Sequence, residues 1–209
     1  MARKGPRLRP LARELARRFP DLEDPALAVT TGVVLVDGVG HALTAIAVPV
    51  TGRIALDVGA AAGGFTRVLL EAGAARVYAV DAGHGQLLGS LRQDPRVVAL
   101  ERTNLGALGP HVVPDVVEVV TMDLSYLPVA RAAPQLEAVR LSPTADLLAL
   151  VKPQHELGLG ALPGDDGVAE AVEHAARGLA ACRWHVVTAT RSPVLGARGA
   201  VEWLVHARR

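Results

Sequence analysis

Aromatic residues are scarce in this chain, 3% of 209 residues, although half of it is hydrophobic. The core therefore has to be built from Ala, Val and Leu, which suits a parallel sheet with both faces covered by helices. The single cysteine, Cys182, excludes a disulfide framework and fits a reducing compartment; a small buried residue is its simplest reading. No apolar run reaches the ~18 residues that cross a bilayer, and the N-terminus has no signal-peptide hydrophobic region. A cytoplasmic chain that neither spans nor binds a membrane is expected. An excess of charge is lacking too: 22 Lys and Arg against 21 Asp and Glu give a net charge of +1, which alone implies no polyanionic partner. Arginine carries nearly all the positive charge, and Lys4 and Lys152 are the only lysines.

What is present is organised around residues 53–81, RIALDVGAAAGGFTRVLLEAGAARVYAVD. An apolar run over 54–58 reaches Asp57-Val58-Gly59 and passes a turn of small residues. It restarts as an amphipathic segment from Gly63 and returns as a second apolar run closed by Asp81. That pattern predicts a strand, loop, helix and strand. Glycines 59, 63 and 64 and alanines 60–62 let a ligand approach the backbone, and the helix start offers unpaired N–H groups to it. Asp81, about 20 residues beyond the glycines, is placed to accept hydrogen bonds from ribose hydroxyls. The spacing G-x-x-x-G-G departs from the dinucleotide fingerprint G-x-G-x-x-G and favours S-adenosylmethionine over NAD. A tight turn in a parallel sheet with no ligand is the plain alternative.

Upstream, Arg3, Lys4, Arg7, Arg9, Arg13, Arg17 and Arg18 face one acid, Glu14, within 18 residues. The segment LARELARR has helical spacing, so this is either a solvated amphipathic helix or an electrostatic footprint for RNA phosphates. No aromatic residue lies among the basic ones, so bases would not stack there. A short apolar run, 32–38, ends in an Asp-Gly turn. Residues 1–52 are expected to form a small basic unit leaning on a larger domain, 53–209.

Downstream the alternation continues. A short helix over 85–91, a strand over 97–100 and a strand over 116–122 are expected. A helix over 128–139, a strand over 145–151 and a helix over 168–182 follow. Strands over 184–189 and 201–205 close the chain as a hairpin. The fold class is α/β: a Rossmann-like, seven-stranded sheet with helices on both faces and an antiparallel last strand. Ligands bind at the carboxyl ends of the strands in such sheets. Asp123 and Lys152 end two strands at that edge, and Glu202 opens an antiparallel one, so all three are expected to meet there. Taken singly they could be a cap, a snorkelling lysine and a solvated glutamate. Together they form a set in which a lysine between carboxylates, desolvated by an apolar floor, takes the proton of a hydroxyl.

The strings LDVGAAAGGFTRVLLEAGAARVYAVDAGHGQL, LRQDPRVVALERTN, TMDLSYL, LVKPQHELG and SPVLGARGAVEWLVHARR resemble the TlyA, or hemolysin A, family. These are FtsJ-like, S-adenosylmethionine-dependent methyltransferases of ribosomal RNA ribose 2′-hydroxyls. The resemblance covers residues 51–209. It implies that Asp57, Gly59, Ala60, Gly63, Gly64, Phe65 and Asp123 line the cofactor site, that Asp81 holds its ribose, and that Arg102, Thr103 and Asn104 lie by the adenine. It also implies that Asp123, Lys152 and Glu202 are three members of a Lys-Asp-Lys-Glu catalytic set. The first lysine of that set, carried by a Ser-Arg-Gly-Gly-x-Lys-Leu segment in the family, has no counterpart: Val48-Pro49-Val50-Thr51-Gly52 leads directly into the first strand. The family's S4-type RNA-binding module is matched only at GVVLVDG. His84 and His155 stand where the family has aromatic residues, and no metal-ligand spacing accompanies them. Three functions are therefore compatible with the sequence. They are ribose methylation of RNA, a member diverted to a small-molecule acceptor, and a non-catalytic protein that binds cofactor and RNA.

Overall fold

A computed structural model describes residues 48–192, 195–196 and 199–209. The basic segment and the S4-like remnant expected within residues 1–47 lie outside the described residues. Seven strands, β1 (Ile54–Val58), β2 (Arg76–Val80), β3 (Val97–Leu100), β4 (Val117–Met122), β5 (Leu141–Val151), β6 (His185–Arg191) and β7 (Trp203–Arg208), form one sheet in the order β3-β2-β1-β4-β5-β7-β6. Strands β1 to β5 pair in parallel, and β7 runs antiparallel to both β5 and β6. From β1 the chain winds outward to β2 and β3, then returns to β4 on the other side. The crevice between the ends of β1 and β4 is therefore the switch point at which such sheets take ligands.

Helix α1 (Gly64–Glu71) covers one face, burying Phe65, Val68 and Leu69 against Ala55, Val77 and Val119. The other face carries α3 (Val129–Ala132) and α5 (Asp165–Ala181). In α5 the residues Ala171, Ala175 and Leu179, spaced four apart, form the fully buried stripe, as helical periodicity requires. The core is Ala, Val and Leu with few aromatic residues, Trp184, Tyr78 and Phe65 among them. A carboxylate ties the amino-terminal edge. Asp146 of β5 accepts from Arg53 (2.7 Å), His206 (2.8 Å) and Arg208 (3.0 Å). Burial pushes its carboxyl up, but these hydrogen bonds outweigh it and hold the group below the ordinary range.

Several elements differ from the sequence reading. The helix expected over 128–139 is short: α3 gives way to a 3-10 stretch, Ala133–Ala138. Pro134 cannot supply the N–H that an α-helix needs there. The helix expected over 85–91 shrinks to α2 (Gly89–Arg92), and Gly85 sits at φ 67°. Helix α5 starts at Asp165 rather than 168, because Asp165 and Asp166 in its first turn suit the positive end of the helix dipole. A one-turn helix, α4 (Pro153–Glu156), follows directly on Lys152 in what reads as loop. The last strand begins at Trp203, so Val201 and Glu202 precede it.

Candidate active site

The loop after β1 is shaped by its glycines in two different ways. Gly59 and Gly63 have φ of 83° and 98°, conformations that favour glycine. A Cβ on Gly59 would lie 2.2 Å from the Asp123 carbonyl oxygen, and one on Gly63 would lie 2.2 Å from Leu91 Cδ1. These two glycines let the loop pack against the end of β4 and against α2. Gly64, the first residue of α1, has nothing within 4 Å of such a Cβ. Close approach to the backbone is therefore open at Gly64, where α1 begins with no side-chain cap on its N–H groups. The loop hangs from β2, since Gly59 and Ala60 both donate to the Val80 carbonyl, at 2.9 and 3.0 Å.

Asp81 joins three loops. Its carboxylate accepts from Ala61 N at 2.9 Å and from Gly83 N at 2.7 Å, and its carbonyl accepts from Thr103 N at 2.9 Å. Each carboxylate oxygen keeps acceptor capacity beyond its one backbone partner. Arg102 donates from its N–H to the Gly83 carbonyl at 2.8 Å and adopts φ 55°. The strand-end loops carrying Gly59, Asp81, Arg102, Thr103 and Asn104 thus meet at one place. Sequence reasoning passed over Tyr126 here. Burial and the neighbouring Asp81 carboxylate push its hydroxyl up, which places the loop after β4 beside Asp81. The signal was visible as one of two tyrosines, three residues after Asp123 in TMDLSYL.

Two of the residues expected at the cofactor, Asp57 and Phe65, are buried beneath the glycine loop. Asp57 is fully buried, and its oxygens accept from Thr66 Oγ1 at 2.6 Å and Thr121 Oγ1 at 2.9 Å. Burial raises its carboxyl to about 6, against the lowering by both hydroxyls, with Asp123 adding repulsion. Phe65, 4% exposed, packs in the core under α1. Both residues hold the loop from below. Thr66 and Thr121, the hydroxyls that receive Asp57, had no sequence signal beyond being polar residues within apolar runs.

On the acceptor side Asp123, Lys152 and Glu202 converge. Lys152 Nζ lies 2.5 Å from Asp123 Oδ1 and donates to Ser125 Oγ at 2.8 Å. Lys152 and Asp123 side chains are 16% and 20% exposed, a half-sheltered pair beside the glycine loop, since Asp123 N donates to the Val58 carbonyl at 2.9 Å. Glu202 is buried. Desolvation raises its carboxyl to about 7, with Lys152 opposing and Asp123 adding to the rise. A Cβ on Gly196 would come 2.1 Å from Glu202 Oε1, so Gly196 lies directly against this carboxyl. Lys152 is the one lysine among the described residues. His84 and His155 are exposed, and among the described residues no group of three His, Cys, Asp or Glu could hold a metal ion.

An uncapped helix start with open space at Gly64, and a strand-end carboxylate with spare acceptor capacity, fit the methionine and ribose parts of S-adenosylmethionine. The comparisons agree. A family model described as FtsJ-like methyltransferase matches residues 41–209. The chain is 46% identical over 174 residues to the 16S/23S rRNA (cytidine-2′-O)-methyltransferase TlyA of Mycobacterium tuberculosis, covering 80% of this chain and 64% of that protein. It is 35% identical over 166 residues to hemolysin A of Brachyspira hyodysenteriae, covering 76% and 69%. A solved candidate hemolysin from Streptococcus thermophilus superposes with a TM-score of 0.78 at 30% identity, covering 82% of this chain and 64% of that one. The chain thus spans just under two thirds of the length of the TlyA relative. The family model over residues 41–209 and the identity to these relatives establish that the chain belongs to the FtsJ-like, S-adenosylmethionine-dependent methyltransferase family, in its TlyA/hemolysin A branch.

Proposed function

We propose that the protein methylates ribose 2′-hydroxyls of ribosomal RNA. The observation that carries this reading is the meeting of Asp123, Lys152 and Glu202 at the carboxyl edge next to the cofactor loop, with Lys152 Nζ 2.5 Å from Asp123. Gly64, Asp81 and the 102–104 loop would hold the cofactor, with Gly59 and Gly63 shaping the loop, and when bound it would supply a methyl group on a positively charged sulfur. Lys152 Nζ would take the proton of the ribose hydroxyl, so that its oxygen could accept the methyl group as the sulfur leaves with the bonding pair. Asp123 holds the lysine in place, and the buried Glu202 closes the site on its far side. Positioning and proton removal are the protein's main contributions.

The acceptor is RNA by the same reasoning. The TlyA relative is named for rRNA ribose methylation, and an amine poised for a hydroxyl is the chemistry that reaction needs. The basic residues Arg3, Lys4, Arg7, Arg9, Arg13, Arg17 and Arg18 supply charge for phosphates. A small-molecule acceptor has no support among the relatives named above.

The test is transfer of labelled methyl groups from S-adenosylmethionine to ribosomal subunits from a strain that lacks the modification. Transfer to a ribose 2′-oxygen is expected. Absence of any label in RNA, from protein that binds the cofactor, sinks the proposal. Lys152→Ala is expected to keep cofactor binding and lose transfer by about a hundredfold or more.

A further inference from the structure

We infer that Ser125 is a positioning residue that aims the amine of Lys152; the inference rests on the reading of Lys152 as the proton acceptor. Ser125 and Asp123 leave the same loop after β4 and reach the same nitrogen. Nζ donates to Ser125 Oγ at 2.8 Å and pairs with Asp123 Oδ1 at 2.5 Å. A lysine amine is tetrahedral and turns freely about its last bond. In the neutral form that accepts a proton it has two N–H bonds and one lone pair. Ser125 Oγ accepts the hydrogen bond that fixes one N–H, and the Asp123 carboxylate, in ion-pair contact but outside hydrogen-bond geometry, repels the lone pair from its side, so the lone pair turns away from the Asp123–Ser125 loop. With the carboxylate contact alone, no N–H is fixed by a hydrogen bond and the amine is free to turn about its last bond.

Among the described residues nothing else accounts for the serine. It is exposed, and no other hydrogen bond of its hydroxyl is found among the described contacts. It is not the cap of α3, whose N-cap is Pro128. The lysine, by contrast, has its head at the sheltered edge, with a side-chain exposure of 16%. An exposed serine bonded to a sheltered lysine orders the lysine rather than the reverse. Its removal is expected to cost the fold little, as surface substitutions generally do.

The near absence of lysine makes the test direct. With lysine labelled at the ε-carbon and ζ-nitrogen, the protein gives two side-chain signals, Lys4 and Lys152, and Lys4→Arg identifies the second. A restricted Lys152 signal is expected in the wild type and in Ser125→Thr, which keeps a hydroxyl. In Ser125→Ala it should relax as a free side chain does. On unmodified ribosomal subunits Ser125→Ala should slow single-turnover methyl transfer about tenfold, with cofactor affinity within twofold of wild type, while Ser125→Thr keeps most of the rate. An unchanged Lys152 signal in Ser125→Ala, or an equal loss of rate in Ser125→Thr, overturns the inference. Full transfer by Lys152→Ala overturns instead the reading on which it rests, and the labelled spectrum still reports whether Ser125 holds the amine.

Discussion

Val151 of β5 stands opposite Trp203 of β7 in the antiparallel register, and this one pairing sets Lys152 and Glu202 side by side at the edge of the sheet. The reversal of β7 is what makes it possible. In a parallel seventh strand the residue before the strand would lie at the far edge, beside Asp146 and Arg53. Because Glu202 precedes β7 and is buried there, it must share its surroundings with the Lys152–Asp123 pair.

Burial makes Glu202 a stability cost at neutral and alkaline pH. Its carboxyl titrates near 7 in the fold against 4.5 unfolded, with desolvation the main cause. Between those values the folded state holds the extra proton, so this group's contribution to stability falls as the pH rises through that window. Glu202→Gln removes the ionisation. It is expected to stabilise the protein by about 2 kcal/mol at pH 8 and by much less at pH 5, while lowering methyl transfer. Denaturant titrations of both proteins at the two pH values check this. A gain of equal size at both would mean that ionisation is not its source.

The alternation of apolar runs made the sheet legible, including strand β1 to the residue, because strands buried on both faces read as nearly continuous apolar runs, interrupted in β1 only by the buried Asp57. The convergence of Asp123, Lys152 and Glu202 was legible for the same reason, as each polar residue interrupts or borders an apolar run. What was not legible depended on contacts between distant segments. The one-turn helix over 153–156 has too few residues for periodicity to show, and the helix expected over 85–91 was legible but is confined to 89–92. Asp57 reads as a ligand in the sequence and is in fact hidden, since nothing local tells that Thr66 and Thr121 will meet it. Ser125 is an ordinary loop serine until the fold brings Lys152 to it.

The glycines of the cofactor loop should separate into structural and binding positions. Gly59→Ala places a Cβ against the Asp123 carbonyl at a φ of 83°, so a loss of more than about 2 kcal/mol is expected. Gly64→Ala enters open space at the first residue of a helix, where alanine is favoured by about 0.5–1 kcal/mol. Its melting temperature should hold or rise while cofactor affinity drops, because the added methyl occupies the approach to the helix start. Thermal melts and calorimetric cofactor titration of the two variants check the split. Normal affinity in Gly64→Ala would remove that position from the cofactor site.

The hydroxyls around Asp57 should matter more as the pH rises. Asp57 and Thr121 are register partners on β1 and β4, and Thr66 reaches the same carboxylate from the first turns of α1. All three side chains are fully buried, so this trio locks the glycine loop and α1 to the strand that ends in Asp123. Burial lifts the Asp57 carboxyl from 3.8 to about 6, and the two hydroxyls hold it from rising further. The folded state therefore keeps the proton between those values, and Asp57 contributes less stability as the pH rises through them. Thr121→Val keeps the shape and removes one donor, which lifts the folded value again and widens the window upward. At pH 8 the ionised carboxylate is left short of a hydrogen bond, and a loss of about 1–3 kcal/mol is expected. At pH 5 the carboxyl is mostly protonated, and the deficit should shrink. Urea denaturation of wild type and Thr121→Val at the two pH values measures it, and a deficit independent of pH would mean that packing, not the buried charge, is what Thr121 serves.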